Sequence, residues 1–282
     1  MKTLVYDSEY FNAGETLECG QIFRFKKIGD GYVVYSTDKA CYIETKNAAT
    51  SITCNDEDEE YFKNFFDVTT DYKKIVDSAR NSDYPVLKKS AELGKGVRIL
   101  NQNKTETLFS FIVSQNNHIP RIKGIIERLC DNLGEEKEFC GEKYRAFPTA
   151  EKMAEKDKSF YTALGLGYRD EYVLKTAQTL AGGLNVDDFG SLTTSELKKK
   201  LLNLKGVGAK VADCVSLFGY HRTDSFPVDT WIEKIYRQDF KGDLTDRTKI
   251  AEFFVAEFKE NSGYYQQYLF YYKRSLEGKE NK

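Results

Sequence analysis

The chain of 282 residues carries 42 Lys and Arg against 44 Asp and Glu, a formal net charge of −2, which excludes a uniformly basic nucleic-acid surface and leaves room only for a local one. Its 40% apolar and 14% aromatic residues exclude a disordered chain. Six cysteines without a CxxC spacing, and only two histidines, argue against zinc, and in a reducing compartment against disulfides.

No apolar run approaches the ~20 residues of a membrane span. The N-terminal MKTLVYDSEYF lacks the long apolar stretch of a signal peptide, so a soluble, intracellular protein is expected; separately, a monomer is expected. Residues 1 to about 70 read as strand-rich. GQIFRFKKIGDGYVVYSTDKACYIETK alternates apolar and polar residues around turns such as GDG at 29–31, the pattern of a small antiparallel sheet. The acidic run NDEDEE at 55–60 reads as a solvated turn or helix start. From EEYFKNFFD onward the pattern is helical. TETLFSFIVSQ (105–115) is an apolar-faced helix, followed by the turn NNHIP and a further helix RIKGIIERLCDNLG, which ends at Gly134. SELKKKLLNL (195–204) is another, and AEFFVAEFKENSGYYQQYLFYYKRS supplies at least one more. The organisation expected is α+β: an N-terminal sheet domain over residues 1–104, and a helical domain over 105–282.

Residues 204–231, LKGVGAKVADCVSLFGYHRTDSFPVDTW, hold the chemistry. Two helices meet at L-K-G-V-G-A-K. Gly206 and Gly208 permit a tight turn and a close approach to the backbone. The second helix, expected to run to about Phe218, turns its free N–H groups and positive dipole end outward, an anion site. Such a hairpin holds a DNA phosphate without reading sequence; a plain helical hairpin with a glycine turn has the same pattern. Lys210 sits where the dipole disfavours a cation by ~0.3–1 kcal/mol, a field that favours the uncharged amine a nucleophile needs. Cys214 and Phe218 follow at i+4 and i+8 on the same face. The alternative is a snorkelling lysine above ordinary core residues. Asp229, after Pro227 and Val228, is placed to cap the helix TWIEKIYRQ. An Asp held by backbone N–H groups presents a carboxylate, so cap and catalyst are compatible roles. Residues 193–282 hold 16 Lys and Arg against 13 Asp and Glu, a local positive balance.

LKGVGAKVADC and FPVDTW resemble the helix–hairpin–helix/Gly-Pro-Asp superfamily of base-excision DNA glycosylases. With CGQIFRF (19–25), FSFIVSQNNHIPRI (109–122), LGLGYRDEY (164–172) and GYYQQYLF (263–270), the chain resembles the lysine branch, the 8-oxoguanine DNA glycosylases, across nearly its whole length. The four cysteines of the iron–sulfur branch have no counterpart after Asp229.

The resemblance implies a bifunctional glycosylase/lyase that excises 8-oxoguanine, preferably opposite cytosine, from double-stranded DNA. It would lie with the nucleoid in a prokaryotic cytoplasm, or in a eukaryotic nucleus. Lys210 would be the nucleophile and Asp229 its carboxylate partner. The Gly20 carbonyl would accept the N7–H of the oxidised base, where guanine has a repelled acceptor. Gln266 would read the Watson–Crick edge; Phe270 and Cys214 would stack on either face of the extruded base, with Phe218 nearby. Asn116 would fill the gap in the duplex, Arg121 and Arg169 would bond the opposite cytosine, and Tyr168 would wedge into the stack. No cofactor is required. The carbonyls of Leu202, Leu204 and Val207 match positions that hold a structural cation beside a phosphate. Trp231, Lys273, His118 and Phe218 depart from the animal members of the family, where His, Asp, Asn and Met stand. Each of these residues also has a plain structural reading: strand bend, polar loop, surface charge or core packing. A glycosylase for another damaged purine and a non-catalytic DNA-binding module are the remaining functional alternatives.

Overall fold

The structure is a computed structural model that describes residues 1–280, with side chains through residue 276. Strands β1 (Lys2–Asp7), β2 (Phe25–Ile28), β3 (Gly31–Ser36), β4 (Lys39–Lys46) and β5 (Ala49–Cys54) form one antiparallel sheet in the order β1-β5-β4-β3-β2. The alternation expected from the sequence sets its register. Val34 faces Cys41, Ile43 faces Ile52 and Cys41 faces Cys54, and all five residues are buried, because side chains two apart share a face. A short helix α1 (Ala13–Glu18), capped by Asn12, interrupts the strands where only sheet was expected. Phe11, Leu17, Phe62, Phe65 and Phe66 close the core beneath the sheet.

The acidic run forms a 3-10 turn over Asp56–Asp58 and opens α2 (Glu59–Phe65). It is not wholly solvated: Asp58 is buried and pairs with Lys39 at 2.5 Å. The helices then follow as α3 (Tyr72–Arg80), α4 (Pro85–Leu93), α5 (Lys104–Ser114) and α6 (Ile119–Leu133). A hairpin that the sequence did not reveal, β6 (Glu136–Phe139) with β7 (Glu142–Arg145), precedes α7 (Ala150–Ala154), α8 (Lys158–Ala163) and α9 (Asp170–Ala181). The chain ends with α10 (Thr194–Leu202), α11 (Ala209–Gly219), α12 (Thr230–Gln238), α13 (Arg247–Phe258) and α14 (Ser262–Glu280). The segment expected to hold at least one helix thus holds parts of two, separated by a turn at Lys259–Asn261, where Lys259 takes a positive φ of 50°.

Helices α5 and α11 are the centre of the helical part. Residues 106–113 and 211–219 are buried without interruption, as expected for helices covered on every side. The fold is α+β, a sheet packed on a helical body. Core and chain order divide differently, however: α3 and α4 precede residue 104 but pack into the large helical core together with α14. The sheet joins α5 through Arg24 and Thr37. Buried Glu106 pairs with Arg24 at 3.4 Å and accepts the Thr37 N–H at 2.6 Å.

Candidate active site

The helical hairpin is built as its sequence requires. Thr193 and Glu196 form a reciprocal capping box that starts α10. After Leu202 the chain turns tightly, with Leu204 N–H bonded to the Leu201 carbonyl and Val207 N–H to the Leu204 carbonyl. The two glycines have different tasks. Gly206 has φ +82°, and a Cβ there would lie 2.3 Å from the Tyr172 ring, so the aromatic side chain occupies the approach expected for a ligand. Its carbonyl accepts Gln115 Nε2 at 2.9 Å. Gly208 is exposed with open space around it, and it caps α11 without a side chain, leaving the helix start uncovered. Leu202 closes α10, and Leu204 and Val207 line the turn.

Lys210, on the first turn of α11, is half-buried. Its ammonium lies 5.1 Å from the centre of the Phe111 ring. Phe111 stacks on Phe218 at 5.5 Å and 15°, and Phe23 meets it edge-on at 5.6 Å. Phe218, expected among the substrate-binding residues, is buried and stacked on this ring. Phe111 and Phe23 escaped the sequence reading because their apolar runs do not say which ring faces the lysine. Cys214 is buried and its thiol is pushed up to about 11 by burial; the Lys210 cation opposes that rise, and Asp213 and then Asp229 add to it. Amine and carboxylate thus both act on the charge state of the same buried thiol. Asp213, next to Cys214, is buried and held above its usual range by burial, against the pull of Lys198 at 2.6 Å.

Asp229 is the N-cap of α12: its Oδ1 accepts the Trp231 and Ile232 N–H groups at 2.9 and 3.0 Å. The preceding Pro227 carbonyl accepts Gln266 Nε2 at 3.2 Å. Gln266 is buried, and its Oε1 has no hydrogen-bond partner. Further along α14, Gln267 donates to the Cys19 carbonyl at 3.0 Å, which draws the CGQ loop against the helix. Gly20 has φ +92°, and a Cβ there would lie 3.1 Å from Arg274, 3.3 Å from Phe270 and 3.8 Å from Ile119. Only glycine holds this backbone against that wall. Gln21, buried beside it, bonds the carbonyls of Thr16 and Arg98 and the N–H of Leu100, and so anchors the loop.

A second cluster borders the first. Exposed Asn116 takes φ +44° and donates to the Tyr168 hydroxyl at 3.2 Å; Tyr168 is half exposed. Arg169 is not surface charge. It is 2% exposed and donates to the carbonyls of Gln115, Asn116 and Leu166, while its guanidinium lies 4.4 Å from the Tyr168 ring. Arg121 is exposed and donates to the Gly165 carbonyl at 3.1 Å. His118 caps α6 through Nδ1. Lys234 lies over the Trp231 ring at 4.9 Å, and Lys273 donates to Gln238 at 3.1 Å. Among the described residues no cluster of His, Cys, Asp and Glu could hold a metal, and no helix is long and apolar enough to cross a membrane.

Comparison with known proteins gives matches along most of the chain. A family model for the 8-oxoguanine DNA glycosylase N-terminal domain matches residues 3–108, and one for the HhH-GPD superfamily of base excision DNA repair proteins matches 109–260. An N-glycosylase/DNA lyase of Saccharomyces cerevisiae is 33% identical over 204 residues, 67% of this chain and 54% of the yeast protein. The chain thus spans about half the length of that relative. A probable N-glycosylase/DNA lyase of Methanothermobacter thermautotrophicus is 28% identical over 265 residues, 83% of each chain. The structure of Clostridium acetobutylicum 8-oxoguanine glycosylase/lyase, in complex with double-stranded DNA containing cytosine opposite 8-oxoguanine, superposes with a TM-score of 0.90. It is 32% identical over 98% of this chain and 99% of that one.

Proposed function

Because the chain belongs to the 8-oxoguanine DNA glycosylase family of the helix–hairpin–helix/Gly-Pro-Asp superfamily, we propose that it is a DNA N-glycosylase with abasic-site lyase activity that removes 8-oxoguanine from duplex DNA, preferably opposite cytosine. What supports this reading is that the Lys210 amine and the Asp229 carboxylate both act electrostatically on the same buried Cys214 thiol, in a chain that two family models match along residues 3–260. In this mechanism the uncharged Lys210 amine attacks C1′ of an extruded nucleotide. The C1′–N9 bond breaks, and its electron pair leaves with the base, which takes up a proton. The Asp229 carboxylate stabilises the positive charge that develops on the sugar. Opening of the sugar ring gives a Schiff base. Loss of a C2′ proton then expels the 3′ phosphate, which is the lyase step.

The base would lie between Phe270 and Cys214. The unpartnered Gln266 Oε1 is an acceptor for the N–H groups of a guanine Watson–Crick edge. The Gly20 carbonyl would accept N7–H of the oxidised base. The uncovered start of α11 at Gly208 would hold a phosphate, with a cation on the Leu202, Leu204 and Val207 carbonyls as a structural aid. Arg121 is free to turn from the Gly165 carbonyl to cytosine N3 or O2. Arg169 would reach the same base while it fixes the Gln115–Asn116 backbone.

The test is borohydride trapping on an 8-oxoguanine duplex. Wild type forms a covalent complex; Lys210→Gln loses both excision and trapping while it still binds the lesion. Trapping retained by Lys210→Gln removes Lys210 from the role. Arg121→Ala loosens opposite-base preference, and cytosine selectivity unchanged by both Arg121→Ala and Arg169→Ala would place the selectivity elsewhere.

A further inference from the structure

Gln266, Phe270 and Arg274 follow at i, i+4 and i+8 on α14, one stripe of about 12 Å at 1.5 Å per residue. Arg274 ends that stripe. Its guanidinium is 6.0 Å from the centre of the Phe270 ring. Its Nη1 is buried, has no hydrogen-bond partner, and lies 3.1 Å from the position a Cβ would take on Gly20. A charged donor removed from water without an acceptor is costly, and an acceptor delivered by a ligand removes that cost.

The stripe has about the length of a purine with one hydrogen bond of ~2.9 Å at each end. With the Watson–Crick edge at Gln266 and the ring on Phe270, the imidazole end lies toward Gly20 and Arg274. Gly20 offers a carbonyl acceptor there and Arg274 offers an N–H donor. A neighbouring acceptor and donor complement a neighbouring N–H and C=O. The oxidised purine has that pair as N7–H and C8=O, whereas guanine presents a bare N7 and C8–H.

We propose that Arg274 is a specificity-determining residue that donates a charge-assisted hydrogen bond to the C8 carbonyl oxygen of the extruded base. This inference rests on the reading of the site as an 8-oxoguanine pocket. It adds a second contact to the oxidised edge, from the other end of the α14 stripe to Gln266, at an atom that undamaged guanine lacks.

The experiment compares wild type with Arg274→Met, which keeps a long apolar stem over Phe270, and with Arg274→Lys, which keeps a donor. Single-turnover excision is measured on duplexes carrying 8-oxoguanine or 8-thioguanine, whose C8=S is a weaker acceptor beside the same N7–H. Binding is measured on a duplex with a tetrahydrofuran abasic analogue, which has no base. The expected result is a roughly 10- to 100-fold slower excision of 8-oxoguanine by Arg274→Met, partial recovery in Arg274→Lys, and a much smaller loss on 8-thioguanine. Abasic binding stays as in wild type. Equal losses on both bases together with weakened abasic binding would place Arg274 on a phosphate and overturn the proposal, as would unchanged 8-oxoguanine excision by Arg274→Met. Wild type unable to excise or be trapped on 8-oxoguanine would instead overturn the underlying reading of the site, so the two failures are separable.

Discussion

Gly206→Ala probes how the hairpin is held, and its cost can be built from two physical parts. Alanine at φ +82° occupies a left-handed conformation that costs an L-residue about 1–2 kcal/mol. Its Cβ would also sit 2.3 Å from Cγ of Tyr172, so the ring must move by about an ångström, and overpacking of this kind costs about 1–3 kcal/mol. The sum is about 2–5 kcal/mol. The Tyr172 Cβ itself lies 2.6 Å from the added carbon, so only removal of the whole side chain should remove the second part. Gly206→Ala in a Tyr172→Gly background should therefore cost only about 1–2 kcal/mol, a coupling of roughly 1–3 kcal/mol between the two positions. Urea unfolding of wild type, both single variants and the double variant measures it. Gly208→Ala is the control: a Cβ there meets nothing within 4 Å, so stability changes by about 1 kcal/mol or less while affinity for DNA falls. Strictly additive effects of Gly206→Ala and Tyr172→Gly would refute the packing argument.

Asp229→Ala should lose the α12 cap, about 1 kcal/mol, whereas Asp229→Asn keeps an Oδ1 acceptor for Trp231 and Ile232 and should unfold close to wild type. Both should lose base excision, and a full excision rate in Asp229→Asn would limit this residue to capping. Burial holds the Glu106 carboxyl above its ordinary 4.5, with Arg24 opposing. The native state then binds that proton more tightly than the unfolded chain, so wild type should gain stability relative to Glu106→Gln as pH falls toward 4.5 and lose it as pH rises through the native pKa. A difference independent of pH in denaturant titrations would contradict that assignment.

Much of this protein was decided locally. The alternation in residues 20–46 fixed antiparallel strands, because each strand has one face toward a core. The LKGVGAK turn and the Asp229 cap follow from glycine's conformational freedom and from a carboxylate's affinity for free N–H groups at a helix start. Resemblance to a known family supplied the roles of Lys210, Gly20 and Gln266.

Only the tertiary structure decided what lies beside each of these residues, since contacts between segments far apart in the chain leave no local periodicity. Gly20 and Arg274 stand 254 positions apart in the sequence, yet meet because Gln267 draws the CGQ loop onto α14. Phe111 became the surface under the Lys210 amine, and Phe218 its backing, because α5 and α11 cross in the core. Arg169 reads as surface charge in sequence, but the fold buries it against three carbonyls that only a folded loop can aim at one guanidinium.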